Sequence, residues 1–414
     1  MEETDLASNP RLRPVEVFPV QMEGKELFCL RDPQSLAEPP IFLNRMLVFV
    51  VSRMNGDNSL RDIQADFFRA TGEILPMEDL EGLVKQLDQH YYLESALFCS
   101  FYEAQVQEFR KASIRMACHA GSAYEAQGPA LISQLNALYT HAEGPGECTT
   151  PDAAKPLRGL ISPHIDFARG GPTYAHAYRA LAEHPGADRF IIFGTCHTPM
   201  QQRFALTLKD YETPLGTAET DREFVRRLAA KMQRDYFHDE FSHRGEHSIE
   251  FQAVWLRYTL RVLSDFKIIP ILVGSFQDIC SQRKSAADDP EIQEMVTAIR
   301  ETMTEVPGRY CVIAGADLAH VGRRFGDPAG LTESSLRQVE KEDQLFLARA
   351  AACDPEGVFD SIAADNDRRR VCGYPPIYMT LRCLEKSDGT LIQYRQWADL
   401  NAGAAVTYAA LALY

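Results

Sequence analysis

The sequence predicts an α/β fold, a three-layer αβα sandwich around a largely parallel central sheet, with a small N-terminal α+β unit of winged-helix-like character. Short continuous apolar runs at 157–161, 190–193, 266–273 and 310–313 have the length and unbroken hydrophobicity of strands buried on both faces. Helical periodicity lies between them at 174–182, 222–232 and 246–262, and that alternation builds parallel sheets. Five segments each carry a metal-ligating or proton-transfer residue where a strand is expected to end: Pro163-His164, Cys196-His197, Glu246-His247, Asp317 to His320, and Cys372-Gly373. Open α/β sheets build their sites at that edge.

Composition narrows the function. The 414 residues, 45% hydrophobic and 24% charged, suffice for a large core and two domains, 1–100 and 101–414. A net charge of −15 argues against a nucleic-acid or anionic-membrane surface, and Arg368-Arg369-Arg370 is too short a basic cluster to reverse that. No run approaches the roughly eighteen apolar residues of a membrane span. The acidic start MEETDLASNP lacks the features of a signal peptide, so the expected location is the cytoplasm. The ten cysteines form no CxxC pair, which argues against a disulfide framework or a four-cysteine zinc site.

In the first unit, residues 26–30 read as a strand running into the Asp32-Pro33 turn. An apolar helix at 46–51 stops near Asn55-Gly56, and Ser59 with Asp62 forms a capping pattern for the next helix. A third helix is expected over 77–90, with Leu80, Leu83, Val84 and Leu87 on one face. Lacking a basic face, the unit suits a protein or peptide partner better than DNA. Residues 101–135 read as a helix, the segment Cys118-His119-Ala120-Gly121-Ser122, and a second helix; 139–156 reads as a surface loop.

His164 follows a strand that Pro163 ends, and Gly170-Gly171-Pro172 reads as a tight turn that would hold its imidazole at a loop mouth. His197 repeats the arrangement. Imidazole is the commonest neutral ligand of Zn, Fe and Cu, although loop histidines with only local hydrogen bonds look the same in sequence. Glu246 and Glu250 open an amphipathic helix, where acidic residues also simply suit the helix dipole. His247 and Glu250 share a face, which allows a role in orienting ligands. HSIE is not the HExxH zinc-protease motif. Asp317 could fix the tautomer of His320 as a general acid/base, or cap the next turn. Cys372, among Gly and Pro residues, would favour a soft or redox-active metal.

Taken in order, these segments resemble the Memo family, also called the AmmeMemoRadiSam system protein B family. The resemblance runs over about 300 residues, through Cys118 to Ser122, Pro163-His164, Gly194-Thr195-Cys196-His197, Tyr211-Glu212-Thr213-Pro214-Leu215-Gly216, Glu246-His247-Ser248-Ile249-Glu250, Ile269-Pro270-Ile271-Leu272-Val273-Gly274, Asp317-Leu318-Ala319-His320, and Cys372-Gly373 with Pro375-Pro376-Ile377. It implies a fold related to class III extradiol dioxygenases, which hold non-haem iron through two histidines and a carboxylate. In the family a Cys replaces the carboxylate, and copper or iron is associated with the site. Carried over by motif, His164, His197 and Cys372 look like metal ligands, and His320 with Asp317 like the acid/base pair. Glu246, His247, Asp166 and Tyr374 are expected to support or line the pocket. The chain departs from the family pattern at Ile165-Asp166-Phe167, at Cys196 and Thr198, and at Ala319 and Val321, so the pocket walls differ. The first unit resembles the PqqD-like peptide-binding modules of radical SAM maturation systems.

The leading expectation is therefore a metal-dependent redox protein, oxygenase-like, using iron or copper on a small molecule or peptide, with a peptide or radical SAM partner held by the first unit. A non-catalytic binding protein on an enzyme fold is the alternative. Zinc-dependent hydrolysis ranks third, because no Glu is clearly poised as a base.

Overall fold

The computed structural model describes residues 9–22, 24–148, 151–152, 154–261, 265–282 and 284–414. The first eight residues of the acidic start, Thr149, Thr150 and Ala153 of the expected loop, and Val262 of the expected helix lie outside the described residues. The chain divides into two compact units, one ending at Lys111 and one running from Ala112 to Tyr414.

The smaller unit is α+β. Strands β1 (Glu16–Met22), β2 (Lys25–Arg31) and β3 (Ile41–Leu43) form an antiparallel sheet in that order, followed by helices α1 (Arg45–Ser52), α2 (Leu60–Thr71), α3 (Met77–Gln89) and α4 (Ala96–Lys111). Asp32 organises the turn after β2. Its buried carboxylate accepts the amides of Gln34, Leu36 and Ala37 and pairs with Arg13 at 3.0 Å. The Ser59/Asp62 capping box is formed at α2. β1 went unread in the sequence because it contains Pro19, which is tolerated here since β1 is an edge strand.

The larger unit opens with β4 (Ile114–Arg115), α5 (Gly128–Thr140), β5 (Gly159–Ser162), α6 (Phe167–Glu183), β6 (Arg189–Thr195), β7 (Phe204–Leu206), β8 (Asp210–Tyr211), α7 (Arg222–Lys231) and α8 (His247–Thr259). It continues with β9 (Lys267–Val273), α9 (Gln277–Ser281), α10 (Pro290–Glu305), β10 (Tyr310–Gly315), β11 (Asp317–Val321), α11 (Glu333–Ala351), α12 (Pro355–Ala363), α13 (Tyr374–Leu384), β12 (Gly389–Asp399) and β13 (Ala404–Leu413). The main sheet has the order β11-β13-β5-β10-β6-β9-β7, with β12 also on β13. Its centre, β5-β10-β6-β9, is parallel, and the flanking strands are antiparallel.

Residues alternate between two cores. Ile161, Ile191, Phe193, Ile269, Ile271 and Val312 pack with α7, α10, α12 and α13. Their neighbours Leu160, Phe190, Ile192, Ile268 and Ile313 pack with α5, α6 and α8. Helices on both faces explain why the strands read as unbroken apolar runs.

Two expectations need correction. Gly170-Gly171-Pro172 is not a turn but part of α6, which Asp166 caps by accepting the Arg169 amide. The glycines serve close packing instead: a Cβ on Gly171 would lie 2.6 Å from Leu138. The second correction concerns the five strand ends. Glu246-His247 and Cys372-Gly373 sit at the N-termini of α8 and α13, and Asp317 and His320 lie within a strand of their own, β11. Only His164 and His197 follow strand ends directly.

Candidate metal centre

Pro163 ends β5, and His164 turns into the sheet edge with 2% of its surface exposed. Its Nδ1–H donates to the Gly315 carbonyl at 2.9 Å, which leaves Nε2 unprotonated. Asp317 accepts the His164 amide at 2.9 Å, and its second oxygen lies 3.6 Å from Nε2. Burial lowers the pKa of His164 against the pull of Asp317, so the ring is neutral at pH 7.

His197 follows β6. Its amide donates to Glu246 Oε2 at 2.8 Å, and its Nδ1 lies 3.1 Å from both Glu246 oxygens. Glu246 is the N-cap of α8, accepting the Ser248 amide at 3.1 Å, and lies 3.2 Å from Nδ1 of His247. One carboxylate thus caps a helix and orients two imidazoles. Burial alone would raise its pKa, but the His197 and His247 rings and the His197 amide outweigh that and hold it well below the usual carboxylate range. Burial also keeps His247 neutral, well below its ordinary value.

The three imidazoles converge. Ligand atoms of His164, His197 and His247 lie within 4.8 Å of one another. The His164 ring is edge-on to both others, at 85° and 89°, while His197 and His247 stack at 4.9 Å. Imidazoles with Nδ1 held by carbonyl or carboxylate are the donors that Zn, Fe and Cu select, so the residues fit a transition metal.

Cys372 lies beside this cluster, its Sγ 3.4 Å from His164 Nε2. Burial pushes its thiol well above the ordinary value, as do Asp317 and Asp367. Gly373 allows the close approach, for a Cβ there would meet the Asp317 carbonyl at 2.2 Å. The His320 amide donates to Arg369 O at 2.7 Å, and its Nδ1–H donates to Leu318 O at 3.1 Å. Burial lowers its pKa to about 4, opposed by Asp317 and aided by His164 and His197, so at pH 7 the ring is neutral and its Nε2 carries no proton. Two expected pocket residues do other work. Asp166 pairs with Arg169, and the Tyr374 hydroxyl meets Cys280 Sγ at 3.1 Å in the core.

A second group, Cys118, His119 and Glu250, also has ligand spacing, but its thiol and carboxylate are already engaged. Glu250 accepts from Arg115, Cys118, the His119 amide and the Tyr124 hydroxyl. Arg115 uses its remaining N–H groups on Cys118 Sγ and on the carbonyls of His243, Glu246 and Met116. This buried hub fixes the segment leading into α8. Sequence reasoning passed over Arg115, whose only sign was its position just before Cys118-His119.

The larger unit is also what the comparisons recognise. The family model for Memo-like proteins matches residues 115–412. The chain belongs to the Memo-like family. A MEMO1 family protein of Aquifex aeolicus is 28% identical over 404 residues, 97% of this chain and 99% of the relative, so that alignment extends through the N-terminal unit. One from Thermus thermophilus is 26% identical over 349 residues, covering 83% and 95% of the two chains. One from Methanosarcina acetivorans is 30% identical over 258 residues, covering 61% and 84%. The Memo-like match contains the whole imidazole cluster and begins at Arg115, after the smaller unit ends. Among the described residues no helix is long and apolar enough to cross a membrane.

Glu246→Gln tests the shared carboxylate. Gln keeps the size, but one carbonyl oxygen cannot serve two ring N–H groups and two amides. Metal affinity is expected to fall about 10- to 100-fold, the usual cost of losing an outer-sphere partner of a ligating histidine. A chelator-competition titration measures it, and an affinity within twofold of wild type would count against the orienting role.

Proposed function

We propose that this Memo-like chain is a metal-dependent redox protein, an oxygenase-like enzyme that holds iron or copper through His164, His197 and Cys372. The observation that supports this best is the pair of pre-oriented imidazoles at the C-terminal edge of a parallel sheet, His164 buried and His197 open to solvent, with a thiol 3.4 Å from His164. Nitrogen and sulfur donors suit iron or copper and do not suit Mg or Ca.

A bound iron or copper ion would supply Lewis acidity and one-electron chemistry toward a small substrate and O₂. Gly315 and Glu246 fix the ring orientations so that little reorganisation is needed when a substrate arrives. In this reading His320 is the acid/base group: neutral at pH 7, its Nε2 can accept a hydrogen bond from a substrate hydroxyl or thiol and hand a proton on rather than retain it. Asp317 steadies the His164 backbone and offsets positive charge at that edge. In the same reading the N-terminal unit holds a peptide or partner enzyme, supported by the place of β1 at the edge of its sheet among the described residues, and the protein works in the cytoplasm.

Metal analysis of protein purified without chelator or affinity tag tests the reading. About one iron or copper per chain is expected in wild type, with loss in His164→Ala and weakened binding in Cys372→Ser. Unchanged metal content in both variants would sink the assignment. Oxygen uptake with a panel of catechols and small thiols then separates catalysis from binding: repeated turnover supports the enzyme, while stoichiometric binding without oxygen uptake leaves a pocket protein.

A further inference from the structure

We infer that His247 is a direct metal ligand, so that the centre presents three imidazole nitrogens, His164, His197 and His247, with Cys372 as a further donor. This rests on the metal-centre reading above and extends it to a residue whose position at the start of a helix suggests only a supporting role.

Three observations carry it. His247 places a ring nitrogen within 4.8 Å of ligand atoms of both other histidines, a separation that small side-chain shifts close around one ion. Its Nδ1 shares Glu246 with Nδ1 of His197, and a carboxylate behind each ring is how ligating histidines are usually oriented. No protein hydrogen bond reaches its Nε2 among the described residues, so that atom is left for something outside the protein.

The backbone is built to bring the ring there. The first turn of α8 presses directly on the ends of β6 and β10. A Cβ on Gly194 would lie 2.5 Å from Ser248 Oγ, and one on Gly315 would lie 2.6 Å from the Ser248 carbonyl. Ser248 Oγ donates to Thr195 O at 2.8 Å, and Gln252 Nε2 donates to Pro163 O at 2.7 Å. The helix is thereby tied to both loops that carry the other two imidazoles. A His that only packed beside the site would not require glycine on two strands and two anchoring hydrogen bonds.

The test loads the full chain with Cu(II) and counts coordinated imidazoles by electron spin echo modulation. Three are expected in wild type and two in His247→Ala, with affinity at least tenfold weaker and the third modulation restored by added imidazole. Because Glu246 still caps α8 through the Ser248 amide, the variant keeps the start of its helix. The wild-type count stands without any variant, should His247→Ala fold poorly. Two imidazoles in wild type, or an unchanged echo and affinity in the variant, would overturn the role of His247 alone. Absence of stoichiometric copper, or its full retention in His164→Ala, would overturn the metal reading as well.

Discussion

Replacing Arg115 with Met is expected to cost the larger unit about 3–5 kcal/mol, because it leaves the Glu250 carboxylate buried without its cation. Both side chains are fully buried, and every Arg115 N–H is used. Burial alone would lower the arginine's pKa, but Glu250 more than reverses that and keeps it cationic. The double replacement Arg115→Met with Glu250→Met removes the stranded charge and is expected to recover much of the loss, although the carbonyls of His243 and Glu246 stay unpaired. Denaturant unfolding of the single and double variants decides it. A loss below about 1 kcal/mol in Arg115→Met would mean that the pair behaves as an exposed one does.

The second large effect is a loss of stability in acid that traces to His243. This ring is fully buried, donating from Nε2 to Ala205 O at 3.0 Å and accepting the Tyr211 hydroxyl at Nδ1, 2.7 Å away. Burial lowers its pKa to about 3; Arg115 and Lys209 act in the same direction, against the Ala205 bond and Glu246. Above the unfolded value near 6.5 both states are neutral and the group contributes nothing to pH dependence. Between about 6.5 and 3 the unfolded chain binds a proton that the folded chain refuses, so stability falls as pH drops. At pH 4.5 this amounts to about 3 kcal/mol relative to pH 7. His243→Gln should show a drop between those pH values smaller than wild type by about that amount. An identical drop would show that the proton is taken up elsewhere.

What could be read in the sequence was what depends on near neighbours. The central strands announced themselves because helices cover both faces, and His164 and His197 stood out because each directly follows such a strand. β13 did not. Its run Ala-Ala-Val-Thr-Tyr-Ala-Ala-Leu-Ala-Leu favours helix by intrinsic propensity, and only its place between β12 and the β5/β11 side of the sheet makes it a strand. Arg115 was missed for a similar reason: its partner Glu250 lies 135 residues away, and nothing local marks an arginine as buried. The convergence of His247 with His164 and His197 depends on α8 seating against Gly194 and Gly315, a tertiary fact that spacing along the chain does not encode.

The most direct test of the metal centre is the position of the ion itself. Crystals of the full chain loaded anaerobically with Fe(II), or with copper, would be measured at the metal absorption edge. The centre described here requires an anomalous peak about 2.0–2.4 Å from both His164 Nε2 and His197 Nε2. A peak at Cys118 and His119 instead, or none at the imidazole cluster under saturating metal, would contradict it.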